Sequence, residues 1–187
     1  MSIAQTRQPL NNPATPVPRW ARLAAHGAAL APLPSGIWRI AMAAGIPVGF
    51  DAAWLRNAHI PGGGSVWPVT LSLLTEACAL LALGLVQPWG ERAPRWIPFI
   101  GGRTVRPAAA VIPATIASVI LTMFGVVFGI KIVLVLAGAE HDPSFPEGVA
   151  AWVMSLTYVP LLLWGPLLAL ATLAYHRRRT REQARPG

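Results

Sequence analysis

Of the chain's 187 residues, 54% are hydrophobic and only 12% charged, too little charge to cover a soluble domain, so the bilayer is the expected solvent. The formal charge of +8 does not point to nucleic acid, because the basic residues gather at the ends of apolar stretches and not along one face of a soluble fold. A single cysteine, Cys78, excludes an intramolecular disulfide, a Cys-based zinc site and a CxxC redox centre, and reads as a small apolar residue.

Residues 1–19 hold Pro13, Pro16 and Pro18 among Gln and Asn and are expected to form a disordered cytoplasmic tail. The first strong apolar stretch starts too late for an ordinary secretory signal. Over 20–33 the run WARLAAHGAALAPL is weakly amphipathic and predicts a helix lying in the cytoplasmic interface. The first span is expected over 34–50, PSGIWRIAMAAGIPVGF, at the short limit for a crossing. HIPGGG then marks a loop. Trp67 opens the second span, 67–87, and Trp89 lies just past its end, as aromatic residues do at membrane interfaces.

Residues 88–107, PWGERAPRWIPFIGGRTVRP, alternate arginine with aromatic, apolar and proline residues too irregularly for a span, and predict an interfacial basic loop. The third span is expected over 108–131, with the apolar run continuing to Gly138, longer than a hydrocarbon core of about 30 Å requires. Lys131 is expected to mark its exit and to snorkel outward. An acidic loop, AEHDPSFPEG, leads to a fourth span over 149–175 that contains Pro160 and Pro166, tolerable where neighbouring helices satisfy the freed carbonyls. Residues 177–187 form a basic tail. The fold class is therefore all-α, a four-span membrane bundle with an N-terminal interfacial helix, its membrane domain covering 20–176.

With four spans, Arg7, Arg19, Arg22, Arg92, Arg95, Arg103, Arg106, Arg177, Arg178, Arg179, Arg181 and Arg185 fall on one side, and Arg56 alone on the other beside Asp51, Glu140, Asp142 and Glu147. The positive-inside rule then puts both termini and the middle loop in the cytoplasm. All basic residues but Lys131 are arginine, and Ala, Gly and Pro are abundant, which points to GC-rich codons and a bacterial cytoplasmic membrane.

Gly45 with Gly49, and Gly125 with Gly129, are small-xxx-small pairs of the kind that lets helix backbones approach in lipid, and are candidate helix contacts. Glu76 stands about 13 Å below Trp67, and Arg39 at a similar depth in the first span. Such groups normally face the bundle interior, so the two form either a structural ion pair or a proton, ion or head-group site. Trp89, Arg92, Arg95, Trp96, Arg103 and Arg106 suit the head-group layer of anionic phospholipid, where each near-surface charge is worth about 1 kcal/mol. The four histidines lie at helix ends or in loops, so neither a buried bis-histidine haem nor a metal site is expected. HExxH, GxSxG and lysine-bearing phosphate-loop patterns are absent from the sequence.

The string QPWGERAPRWIPFIGGRTVRPAAAVIPA, preceded by a Glu-bearing span and by PSGIWRIAMAAGIPVGF, resembles a family of small, uncharacterised membrane proteins of actinobacteria. The likeness covers Pro34 to Ala114, less than half the chain. It implies a four-span fold, no cofactor and no functional residue to carry over. The expected function is a non-enzymatic accessory or assembly component that binds other membrane helices, or a second copy of itself, and anionic lipid. An oligomeric transporter or channel using Arg39 and Glu76, and a membrane enzyme acting on lipid or isoprenoid substrates, are the alternatives.

Overall fold

The computed structural model describes residues 17–87 and 106–184, and every regular element among them is helical. In α1 (Arg19–Leu30) alanines 21, 24, 25, 28 and 29 are buried, at the three- and four-residue steps of one helix face. These small side chains let α1 lie close against α7 (Trp164–Gln183) and the 3-10 turn Ala82–Leu85. The amphipathic helix predicted over 20–33 is thus present, but its apolar face is covered by protein.

Ala31 and Pro32 separate α1 from α2 (Leu33–Ala43), whose first turn holds Pro34, where a missing N–H is tolerated. Here the structure corrects the span expected over 34–50. The helix ends at Ala43, and φ is +86° at Gly45, +39° at Val48 and +93° at Gly49. Pro47 has no N–H to donate and disfavours helical backbone at Ile46, while two glycines accept the left-handed turn. The 11 residues of α2 rise only about 16 Å. After the short α3 (Ala52–Asn57), capped by Asp51 accepting the Ala53 N–H at 2.9 Å, the chain enters α4 (Val66–Leu81) through the turn Gly63–Ser65.

α5 (Pro107–Leu136) is 30 residues long, with Pro107 at its first position, where a missing N–H costs nothing. α6 (Val149–Leu162) and α7 follow each other with a break at Leu163. Because α1 meets the end of α4 and α7, while α2 meets the start of α4 and α6, the bent pair α1–α2 runs antiparallel to both α4 and the bent pair α6–α7. α5 completes the bundle against α6 and α7.

Three helical stretches, Gly63–Leu85, Pro107–Leu136 and Val149–Arg181, are long and apolar enough to cross a membrane. The bundle's surface is inverted relative to a soluble protein: Leu73, Leu74, Ile120, Met123 and Val127 are exposed, whereas Ser35, Arg39, Ser72, Ser118 and Thr172 are buried. This is the build of a membrane protein.

Two apolar clusters fill the interior. One joins the alanine face of α1 to Trp164, Leu168, Ala171 and Tyr175 of α7. The other gathers Ile132, Phe145 and Met154 with Trp38, Phe128 and Tyr158. Phe145 belongs to the loop between α5 and α6, and that loop is tied down by an ion pair between Asp142 and Lys131. Lys131 therefore does not reach for solvent alone, and it also lies 6.0 Å from the Phe145 ring centroid.

Asp142 accepts from Lys131 and from the hydroxyl and backbone N–H of Ser144, which holds its carboxyl at about 2, below its ordinary value. A depressed carboxylate contributes its stabilisation above the unfolded pKa of about 3.9 and loses it as pH falls through the folded value. The protection of residues 139–148 against hydrogen exchange, taken relative to the intrinsic rate at each pH, is thus expected to hold down to about pH 4 and to fall between about pH 4 and 2. Asp142→Asn should exchange rapidly already at neutral pH. Equal protection in the two proteins at neutral pH would show that the pair does not anchor the loop.

Candidate functional site

Arg39 is 7% exposed and lies one helical turn beyond Ser35 on α2. Across from it α4 presents Ser72 and Thr75 on a single face, again one turn apart. Arg39 Nε donates to Ser72 Oγ at 2.9 Å, Nη1 to Ser35 Oγ at 3.4 Å and Nη2 to Thr75 Oγ1 at 3.3 Å. The three hydroxyls in turn donate to backbone carbonyls: Ser35 to Pro32, Ser72 to Pro68 and Thr75 to Ser72. Their protons are spent on their own helices, so only lone pairs are offered to the guanidinium. Among the described residues one N–H on each terminal nitrogen of Arg39 is left without an acceptor.

The ion pair weighed between Arg39 and Glu76 does not form. Lys131 and Asp142 do form an ion pair, away from this site. Glu76 is half-buried, and its Oε1 is buried without a hydrogen-bond partner, packed against α2 where a methyl on Gly36 would stand 3.0 Å away. Arg39 acts on it only through space.

Arg39 instead lines a cavity of about 270 Å³ walled by Trp38, Phe50, Trp54, Trp67 and Tyr158, with Ser144 of the α5–α6 loop at its edge. Its guanidinium carbon is 5.9 Å from the Tyr158 ring centroid, within reach of a cation–π contact. Ser72, which it engages, follows Trp67 by about 8 Å of helix, so the charge lies a short way below the end of the bundle that carries Trp67.

The remaining predicted residues are dispersed. Gly45 and Gly49 are in the turn after α2, not on a helix face: a methyl at Gly45 would meet Pro61 at 3.0 Å, and one at Gly49 would overlap the Ala150 side chain. Gly125 packs on the α6–α7 break, where a methyl would lie 3.3 Å from the Leu162 carbonyl oxygen, and Gly129 faces the Leu162 side chain. Pro166, four residues on, cannot donate to that carbonyl, which is why the break presents bare backbone to α5. Trp89, Arg92, Arg95, Trp96 and Arg103 of the basic loop lie outside the described residues, and Arg106 is exposed at the start of α5.

Ser35, Ser72, Thr75 and Tyr158, which shape the site, were not among the predicted residues. A signal for the first three was present: hydroxyls one turn from a charged residue, or from each other, in otherwise apolar helices. Among the described residues no three His, Cys, Asp or Glu side chains converge on a metal-sized site. No family model, curated protein or solved structure matches the chain, so what the cavity can bind rests on Arg39 and its surroundings.

Proposed function

We propose that this is a non-enzymatic membrane component that holds the phosphate head of a phospholipid at Arg39. The observation that supports it is a buried guanidinium that is hydrogen-bonded by hydroxyls, makes no direct ion pair with Glu76 and faces an aromatic cavity. A charge withdrawn from water is costly unless paired, and phosphate is the bidentate partner that arginine's fork fits best. In this reading α1–α2 serves as the fourth crossing, both termini are cytoplasmic, and the cavity opens toward the external leaflet. Partner-helix binding along the apolar surface of α5, and kinship with the small actinobacterial membrane proteins, belong to the same proposal.

The test is retention of lipid by protein purified in a neutral detergent, read by native mass spectrometry and thermal melting. A phosphatidylglycerol should be retained and should raise the melting temperature, whereas diacylglycerol with the same acyl chains should not. Arg39→Gln should lower retention about tenfold or more, the range for a charge-assisted contact in a buried site. Equal retention of diacylglycerol, an equal effect of inorganic phosphate, or undiminished retention by Arg39→Gln would refute the proposal.

A further inference from the structure

A second cavity, of about 440 Å³, adjoins the first. The two share Phe50 and Trp54, and the second is bounded by Asp51, His141, Pro143, Phe145 and Glu147. Phe50 and Trp54, stacked at 4.5 Å between centroids, line both cavities, with buried Arg39 in the first and two carboxylates lining the second. Asp51 and Glu147 are exposed at the rim. Asp142, the nearby acid, is already engaged by Lys131.

We infer that the combined site selects a head group that carries a phosphate and an ammonium, a phosphoethanolamine-type lipid, with the phosphate at Arg39 and the ammonium at the rim between Asp51, Glu147 and the aromatic pair. This rests on the phosphate reading above and extends it. Carboxylates together with aromatic faces attract an ammonium by charge and by the ring quadrupole. The same carboxylates repel a purely anionic head. Phosphate at a buried cation and ammonium at an acidic rim thus reproduce the charge order of a zwitterionic head group, which neither cavity alone would specify.

The experiment compares retention of phosphatidylethanolamine and phosphatidylglycerol of identical acyl chains by the full chain in neutral detergent. The unmodified protein should prefer phosphatidylethanolamine by about fivefold, the scale of one or two exposed charge contacts. Asp51→Asn combined with Glu147→Gln should abolish the preference while leaving phosphatidylglycerol retention equal or higher. Asn still caps α3, so the variant is expected to fold, which its melting temperature checks. Equal retention of the two lipids by the unmodified protein, or a preference that survives in the double variant, overturns the inference and leaves the phosphate site standing if Arg39→Gln still loses both. Undiminished retention by Arg39→Gln overturns both proposals.

Discussion

Gly165→Leu is expected to prevent assembly of the bundle, and Gly165→Ala to lower its melting temperature sharply. Gly165 lies in the first turn of α7, directly against α5. A methyl group there would come within 2.8 Å of the Thr122 Cα and closer still to the Thr122 nitrogen and hydroxyl. Thr122 Oγ1 is itself committed to the Ser118 carbonyl at 2.7 Å, so it has no free rotation to offer. Overpacking a core ordinarily costs about 1–3 kcal/mol, and backbone, unlike a side-chain tip, has no rotamer in which to retreat. The alanine variant therefore belongs near the upper end. Gly63→Ala is the control, since a methyl there meets nothing within 4 Å. Equal melting temperatures for Gly165→Ala and Gly63→Ala in detergent would mean that α5 and α7 do not cross at this point.

The second large effect is a separation of binding from stability at Arg39. Arg39→Met fills a similar volume without the charge. Taking an ion out of water costs on the order of several kcal/mol in desolvation, a cost that an apolar side chain does not carry. Here the three hydroxyls keep their carbonyl acceptors and lose only a donor. Arg39→Met is thus expected to melt at or above the temperature of the unmodified protein while retaining phosphate-bearing lipid at least about tenfold less well. Arg39 and Glu76 make no ion pair and act on each other only through space, so the coupling between Arg39→Met and Glu76→Gln should be small. A loss of stability in Arg39→Met that Glu76→Gln restores would show instead that the two residues serve each other and not a ligand.

Much of the helical plan was legible in composition. The three stretches that can cross a membrane coincide with apolar runs of more than bilayer length, and such runs need no tertiary information to be recognised. The inward orientation of Arg39 was legible for a related reason: a charge in lipid has nowhere else to go, and in the structure it is buried, opposite Ser72 and only about 8 Å of helix from Trp67, not at the middle of a span over 34–50. The weak amphipathicity of 20–33 was equally visible. What covers that face was not, because an apolar stripe suits a membrane surface and another helix alike.

The sequence by itself determined that the chain is helical and apolar on the outside, since in the absence of water only internally hydrogen-bonded backbone is viable and hydropathy reports this directly. Tertiary structure alone decided the partners. Gly45 and Gly49 have helix-contact spacing but sit in a left-handed turn, because Pro47 stops the helix before the pattern can form a face. Glu76 and Arg39 lie on facing helices but share no bond, because Ser35, Ser72 and Thr75 occupy the guanidinium while Glu76 packs against Gly36. Lys131 finds Asp142 across a loop whose path depends on Phe145 seating among Ile132 and Met154. Such pairings depend on how rigid helices are turned against each other, and one helix's sequence constrains its own apolar face far more strongly than it constrains which neighbour will meet it.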